Sequence, residues 1–458
     1  MSNMERHPAS FKDPSGFVFQ KDFSFYRQVN QLYAEEYDLL MSSGLYQELT
    51  DKKYLIPHAE TDKHISGTGN CYKTLLPEQL SFITYPYEWC FDQLKDAALL
   101  TLAIQKTSIR YGMILKDAAH FNVQFRNGRP VFIDTLSFEK YDASKPWIAY
   151  RQFCECFLFP LFLQKYLKIE IQKFMLAYPS GIPVDVTKKM LPWKSNFNLG
   201  VGLHVSLQSK IKADNDSRGY TGQFDQTKML RLITNLEDNI KACTLNEKDK
   251  TNWSNYYDET IISQSYLSEK EIIFRRLMSF AAFKTVLDIG ANDGFFSKII
   301  SEKAASVVSI DFDAYCINNL YCFTKKANRS NILPLCIDFS NPTPATGFNN
   351  TEHASFLQRA QFDLILALAI LHHLSITKNI PLADIAGAFG RIAKTVIVEF
   401  VSKDDVKLQQ LLRHRKDIFS NYHEAGFEEA FGKYFTTISK DKIPGTSRTL
   451  YLLKRKED

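Results

Sequence analysis

Three acids close successive apolar runs in the second half of this 458-residue chain, and their spacing is that of a ligand site. Asp288 ends VLD (286–288) and opens a turn in which Asp288, Gly290, Asp293 and Gly294 follow D-x-G-x-x-D-G, with Asn292 between the glycines. Asp311 ends AASVVSID (304–311), 23 residues after Asp288, and Asp338 ends NILPLCID (331–338). A strand running into a glycine-bearing turn lets a nucleotide-like ligand lie against backbone N–H groups at a helix N-terminus. A carboxylate inside the turn repels a pyrophosphate but suits a ligand carrying a cationic amine. An acid about 20 residues further on, at the second strand tip, can accept hydrogen bonds from both ribose hydroxyls. Asp338 is placed to meet an adenine amino group.

The elements that must position these acids can be read around them. FDLILALAILHHL (362–374) has no alternation, as expected of a strand buried on both faces, and TVIVEFV (395–401) is a fifth run. Helical patterns over 313–327 and 382–393 lie between, giving βαβαβ order with acids at successive strand tips. FGKYFTTISK (431–440) and TSRTLYLLKR (446–455), split by DKIPG, carry a hairpin signal. Amine, ribose and adenine partners together describe S-adenosylmethionine (SAM). A doubly wound domain for some other nucleotide shares the strand order and is the alternative.

On these motifs, residues 250–458 resemble a class I SAM-dependent methyltransferase. VLDIGANDG matches that family's first motif, Asp311 its ribose acid, Asp338 its adenine-side acid, and FDLILALAILHHL its fourth motif. The resemblance implies a Rossmann-like seven-stranded α/β sheet, with Asp288, Gly290, Asn292, Asp293, Gly294, Asp311, Asp338 and Ala367 around the cofactor. Asn292 stands where many members carry glycine; asparagine tolerates a left-handed backbone, so the turn survives it. The acceptor then meets SAM above the fourth strand, making His372 or His373 the candidate general base, with a near-neutral pKa suited to that task. His372 is nearer the strand end. Glu399, at the fifth strand tip, is a pocket candidate or a satisfied strand-end acid. Tyr256 and Tyr257, in the helical stretch before the first strand, are candidates to touch cofactor or acceptor, or core aromatics. No N/D-P-P-Y sequence follows the fourth strand. That absence disfavours methylation of DNA bases and favours an O- or C-directed enzyme.

The first half carries its own constellation. In MILKDAAHFNVQFRNGRPVFIDTLSFE (113–139), Asp117 precedes Asn122 by five residues, and Asp134 ends a strand after the RNGR hairpin turn. Kinases place a catalytic Asp, a metal-binding Asn and a second metal-binding Asp in this order. A helical stretch at 91–112 runs into that loop, and SGFVFQKDFSFYRQV (15–29) reads as two antiparallel strands. Arg27 lies near the position of a phosphate-binding lysine, Glu35 or Glu36 is a partner for it, and SFITYPYEW (81–89) reads as a last strand and hinge. Residues 1–210 thus resemble a degenerate kinase-like α+β fold. Leu115 and Lys116 replace the His and Arg expected before Asp117, no glycine follows Asp134 at the second place, and no glycine-rich phosphate loop is present. Three readings stay open: loop-shaping side chains, an inactive kinase-like fold that binds acceptor or nucleotide, and an active phosphotransferase. Asn122 and Asp134 hold Mg-ATP only in the last reading, and the methyltransferase half needs no metal.

Composition sets the frame. The length predicts two or three domains, and 45% hydrophobic with 23% charged residues is ordinary for a soluble globular chain. The net charge of +5 is no nucleic-acid footprint. Eight scattered cysteines without C-x-x-C, a polar N-terminus, and no apolar run long enough to span a membrane point to the cytoplasm. FLFPLFL (157–163) is too short to span and reads as a core helix. The polar stretch 211–228 divides the chain into a 1–210 domain, a linker with connecting helix over 211–249, and a 250–458 domain.

FKDPSGFVF, YDLLMSSGLY, ITYPYEW, QLKDAALLTL and NVQFRNGRPVFID resemble a bacterial group of two-part methyltransferases. That group includes nodulation proteins and enzymes associated with surface polysaccharides. The resemblance implies a methyltransferase acting on a glycan or small metabolite, with a first half that binds the acceptor. A bifunctional kinase–methyltransferase acting on polysaccharide ends, and a non-catalytic SAM-binding scaffold, are the alternatives.

Overall fold

The structure is a computed structural model and describes residues 5–61, 65–209, 224–245, 264–413 and 418–457. The chain divides into two compact units, residues 1–249 with 345–354, and residues 250–344 with 355–458.

The first unit opens with a five-stranded antiparallel sheet in the order β1-β2-β3-β5-β4. Its strands are β1 (Glu5–Arg6), β2 (Gly16–Lys21), β3 (Ser24–Asn30), β4 (His58–Thr61) and β5 (Cys71–Pro77). Asp22 and Phe23, both at positive φ, make the two-residue turn between β2 and β3, a conformation matched to the twist of a hairpin. Helices Ala34–Ser42 and Leu45–Asp51 follow β3 and bury Tyr37, Leu40, Leu45 and Leu49. Val29, Tyr33, Tyr37, Leu75 and Leu136 form a core beneath the sheet.

Helix Phe91–Arg110 is the long support of this unit. Leu94, Ala97, Ala98, Thr101, Gln105 and Ile109 recur at helical spacing and are buried. The helix runs into a turn at Gly112 (φ 71°) and hands the chain to β6 (Met113–Leu115) and the loop carrying Asp117 and Asn122. The RNGR turn forms as read, with Asn127 and Gly128 at positive φ between β7 (Val123–Arg126) and β8 (Arg129–Phe132). β9 (Phe138–Lys140) returns to pair with β6. SFITYPYEW is not a strand. Pro86 lacks the N–H a ladder needs and starts a buried 3₁₀ turn over Pro86–Glu88, while Trp89 Nε1 donates to Thr84 Oγ1 at 2.9 Å.

FLFPLFL lies across a buried helical stretch, and no helix among the described residues is long and apolar enough to cross a membrane. Within the segment read as linker and connecting helix, Gln226–Lys241 is a helix capped by Asp225 that packs on Phe91–Arg110; residues 211–223 and 246–249 lie outside the described residues. Segment 345–354 also belongs to this unit. His353 stacks on Phe121 with centroids 4.2 Å apart, and Tyr85 Oη accepts from Ala354 N at 3.0 Å.

The second unit is a seven-stranded sheet in the order β12-β11-β10-β13-β14-β16-β15. β10 (Thr285–Ile289), β11 (Ser306–Asp311), β12 (Ile332–Cys336), β13 (Phe362–Ala367) and β14 (Ala393–Val401) are parallel. The hairpin β15 (Phe435–Lys442) and β16 (Arg448–Arg455) closes the sheet antiparallel to β14. Helices Phe295–Ile300, Ala314–Lys326 and Leu382–Ile392 are the crossovers. Val286, Val307, Leu364, Leu366, Ile397 and Leu452 fill the core with Phe274 and Leu277 of helix Gln264–Phe280. This mixed α/β architecture, with chain reversal between β10 and β13, puts a crevice at the carboxyl ends of the strands. The apolar run 362–374 is shorter as a strand than its pattern predicts. It ends at Ala367 because Ala369 turns into the left-handed region (φ 54°), and His373–Thr377 coil into a π-helical turn.

Candidate functional site

The turn after β10 is built onto β11. Gly290 N and Ala291 N both donate to Ile310 O, at 2.9 and 3.0 Å. Asn292 N donates to Asp311 Oδ2 at 2.9 Å, and Asp313 N to Asp311 Oδ1 at 2.9 Å. Gly290, Asn292 and Gly294 all have positive φ (74°, 52° and 79°), so asparagine does adopt the left-handed conformation required of it. A Cβ on Gly294 would also meet Leu320 Cδ1 at 2.4 Å.

Asp288 is buried and its Oδ2 accepts from Ser297 Oγ at 2.5 Å, while Ser297 Oγ accepts from Ser309 Oγ at 2.8 Å. Burial pushes the Asp288 carboxyl up to about 6, with the nearby Asp311 charge adding to the shift. Asp311 is likewise pushed up to about 6, by burial against the hydrogen bonds of Asp313 N and Asn292 N. Asp293 Oδ1 is buried with no hydrogen-bond partner. Two carboxyls held above their ordinary range and one orphaned acceptor make a site short of positive charge and donors. An ammonium group and ribose hydroxyls would supply both, so the donor set fits SAM. Asp338 is half-buried two residues beyond β12; Ser340 N and Oγ donate to its Oδ1, and Lys378 Nζ to its Oδ2 at 3.1 Å. Ala367 is fully buried in the sheet.

His372 and His373 stand past the Ala369 turn with ring centroids 4.1 Å apart. His372 is buried and its Nδ1 has no hydrogen-bond partner. The structure departs from a near-neutral pair. Burial first, then His373, Arg448, Lys270 and Lys407, hold His372 well below its ordinary value; burial and Arg448 bring His373 down to about 4. Both imidazoles are therefore neutral at pH 7.

The surrounding cations belong to a buried network. Glu399 is fully buried; its Oε1 accepts from Tyr266 Oη at 2.8 Å and from Arg448 Nη1 at 3.3 Å, and its Oε2 from Lys270 Nζ at 2.5 Å. Arg448 also forks onto Asp405, with Nε–Oδ2 at 2.7 Å and Nη2–Oδ1 at 3.1 Å. Burial acts to raise the Glu399 carboxyl, but Lys270 and Arg448 outweigh it and keep the group ionised. Of the two sequence readings of Glu399, this is the satisfied strand-end acid. Arg448 is paired in register with Val401, the last residue of β14, so the network sits at the carboxyl edge of the sheet. Beside it opens a cavity of about 570 Å³ lined by Tyr266, Asp404, Lys407, Thr446, Ser447 and Arg448.

Sequence reasoning missed Tyr266, Lys270, Arg448 and Ala369. One signal was available: Tyr266, Lys270, Ile273, Phe274 and Leu277 share one helix face, and a lysine on an apolar face needs a buried acid. Tyr256 and Tyr257 lie outside the described residues.

In the first unit, Asp117, Asn122 and Asp134 do come together. Asp117 Oδ1 accepts from Ala119 N at 2.9 Å and Gln152 Nε2 at 2.8 Å, and burial raises its carboxyl. Asn122 Nδ2 donates to Ser137 Oγ at 3.3 Å, and Ser137 Oγ donates to Asp134 Oδ2 at 2.6 Å. Asp134 Oδ1 accepts from Leu136 N at 3.1 Å and is ion-paired with Arg27. The observed partner of Arg27 is thus Asp134, where the sequence offered Glu35 or Glu36. With both Asp134 oxygens engaged and its charge matched by Arg27, these residues do not fit Mg-ATP. No group of three His, Cys, Asp or Glu side chains among the described residues could hold a metal.

No family model matches the chain. Among solved structures, it resembles the N-methyltransferase NodS from Bradyrhizobium japonicum WM9 (16% identity, 43% of this chain and 99% of that one, TM-score 0.33). It also resembles the bifunctional kinase-methyltransferase WbdD (17% identity, 41% and 38% of the two chains, TM-score 0.28). Nodulation protein NoeA of Rhizobium meliloti (strain 1021) is 31% identical over 462 residues, spanning 99% of this chain and 96% of that protein. At that identity over nearly all of both sequences, this chain belongs to the family of nodulation protein NoeA.

Proposed function

We propose that the second unit is a SAM-dependent methyltransferase acting on a hydroxyl of a glycan or small hydroxylated metabolite, and that the first unit binds that acceptor. The observation that carries the reading is the turn that leaves β10 after Asp288 and is tied to Asp311 through Asn292 N, at the carboxyl edge of the sheet that also holds the 570 Å³ cavity. SAM supplies a methyl group on a sulfonium, which needs no further activation as a leaving group. With SAM bound, Asp311 would take the ribose hydroxyls, Asp288 and Asp293 would provide the negative field for the ammonium, and Asp338 would serve the adenine side. The cavity supplies hydroxyls from Thr446 and Ser447 and charges of both signs from Asp404 and Lys407, a lining matched to a polyhydroxylated acceptor.

His372 Nδ1, buried and unpartnered, is the acceptor for the substrate's hydroxyl proton. Its low pKa makes it a weak base, so it would first orient the hydroxyl toward the methyl group and then take its proton at Nδ1, the thioether of the spent cofactor being the leaving group. For the first unit, a five-stranded sheet, a long helix and an Asp117–Asn122 loop followed by a hairpin support a kinase-like framework. The Arg27–Asp134 pair supports its use for binding without phosphotransfer. Free thiols at all eight cysteines support a cytoplasmic location.

The test uses methyl-labelled SAM with fractionated extract from cells lacking the gene, comparing wild type with Asp288→Ala. Label in a glycan or lipid-linked fraction with wild type alone is the expected result. Label in RNA or protein would replace the acceptor class. Tight SAM binding with no label in any fraction would leave a SAM-binding scaffold.

A further inference from the structure

A stripe of exposed apolar side chains in the first unit has no role in that reading. Trp193 and Phe197 lie on the 3₁₀ turn Trp193–Phe197 with their rings in edge contact at 5.7 Å. Asn198 caps the helix that follows: its Oδ1 accepts from Gly200 N at 2.8 Å and Val201 N at 3.2 Å. That helix, Leu199–Val201, continues as the π-helical Gly202–Leu207. Its inner face is fully used. Val201, His204 and Val205 are buried, and His204 is fixed by Tyr150 Oη at Nδ1 and Asn235 Oδ1 at Nε2, both at 2.7 Å.

The outer face carries Leu199, Leu203 and Leu207, four residues apart and therefore in one line along the coil. Leu199 is 91% and Phe197 80% exposed, and Trp193, Leu203 and Leu207 are exposed beside them. A helix apolar on both faces, with one face in water, is not explained by the core it already packs. The neighbouring helix Val184–Met190 packs against this coil and brings exposed Lys188 and Lys189; Lys188 Nζ donates to Ser209 Oγ at 2.9 Å, at the coil's C-terminal end. Exposed Lys194 lies within the Trp193–Phe197 turn itself.

We propose that this stripe docks the protein on an anionic lipid surface, with Trp193, Phe197, Leu199, Leu203 and Leu207 entering the headgroup boundary and Lys188, Lys189 and Lys194 facing the lipid charges. An exposed apolar stripe with exposed lysines within it and on the helix packed against it has the chemistry of an interfacial element, and the lysines make an anionic lipid surface the fitting occupant. The seat is independent of the methyl-transfer residues, which lie in the other unit.

Co-sedimentation of the full chain with vesicles of phosphatidylcholine alone, or of phosphatidylcholine with phosphatidylglycerol, tests this directly. Wild type pellets with the mixed vesicles and stays in solution with phosphatidylcholine alone. Combined Phe197→Ser, Leu199→Ser and Leu203→Ser weakens that binding by at least about tenfold. Lys188→Gln with Lys189→Gln weakens it by roughly fivefold per lysine, and both variants keep wild-type SAM affinity as the check on folding. Wild type remaining in solution with both vesicles would overturn the proposal, as would undiminished pelleting of the serine variant. A dimer in light scattering that the serine variant loses would also overturn it, since a second copy would then cover the stripe.

Discussion

The turn at the tips of β10 and β11 and the loop over 117–134 are both assembled from acids at strand ends, and they differ in what faces those acids. Asp288 and Asp311 are buried against hydroxyl and backbone donors; burial pushes both up to about 6, and for Asp288 the charge of Lys270, itself paired with Glu399, offsets this only in part. Asp134 lies against Arg27, with its other donors supplied by Leu136 N and Ser137 Oγ. Glu399 repeats the contrast inside the second unit: as deeply buried as Asp288, it is held ionised by Lys270 and Arg448. An acid whose countercharge is already within the fold is a fastener. An acid left without one is a demand that a ligand can meet. The Asp-Asn-Asp spacing in the first half is therefore real as geometry, with its last acid already matched by Arg27.

Breaking a fastener should cost the most. Lys270→Ala leaves Glu399 with one of its two cations removed, and a loss of about 3–5 kcal/mol of stability is expected, read by urea unfolding of the second unit. Lys270→Met combined with Glu399→Gln removes both charges and should recover most of that loss; failure to recover would mean that Lys270 acts through something other than its acid. Next in size is the unmatched acid. With Asp311 as the proposed acceptor for the ribose hydroxyls, Asp311→Ala should weaken SAM binding by roughly 100-fold, on the order of 3 kcal/mol, by titration calorimetry. Asp134→Ala should leave SAM affinity unchanged. Equal losses in the two variants would erase the distinction drawn between them.

pH sharpens the same contrast. The raised Asp288 and Asp311 groups hold protons in the free protein up to about 6 that the unfolded chain loses near 3.8. Their contribution to stability is thus present at low pH and lost as pH rises through about 6. His373, brought down to about 4 from 6.5, works the other way: its contribution is present above 6.5 and lost as pH falls toward 4. SAM should bind the ionised carboxyls, so its affinity is expected to fall as pH drops through about 6. The rise in Tm on saturation with SAM should be clearly larger at pH 7.5 than at pH 5. A flat response would show that the cofactor does not require both acids ionised.

How much of this was legible in the sequence follows from what each feature depends on. The seven strands of the second unit were readable because unbroken apolar runs and strand-end acids are local signals, and the Asn292 conformation followed from its residue type. The end of β13 was not readable, because nothing in LALAILHHL announces that Ala369 must take φ 54°. The Tyr266–Lys270–Glu399–Arg448 network was invisible for another reason. Its helix lies more than 100 residues before the two strands it meets, and only the lone Lys270 on an apolar face hinted at it. The histidines follow the end of β13 as read, but the sequence assigned them ordinary basicity, because burial, which lowers both most, and the distant cations that add to it are set by tertiary packing. In the first half, local pattern placed Asp117, Asn122 and Asp134 together, while the pairing of Arg27 across β3 to Asp134 is a tertiary choice among several acids.

The smallest effect is the most diagnostic for the first unit. Arg27 and Asp134 are both mostly shielded from water, and Arg27→Gln should cost about 1–2 kcal/mol, less than Lys270→Ala because Ser137 Oγ and Leu136 N still hold the carboxylate. Glutamine keeps a donor at β3 while removing the charge. If Arg27 only fastens the loop, the variant should bind SAM as wild type does, and any change in methylation should appear in the KM for the acceptor with kcat intact. If instead the pair closes a latent metal site, the variant should gain Mn²⁺ binding, seen as line broadening, that wild type lacks and that Arg27→Gln with Asp134→Asn loses again. The first outcome is expected, because Asp117 is itself engaged by Ala119 N and Gln152 Nε2 and has little freedom to turn toward an ion.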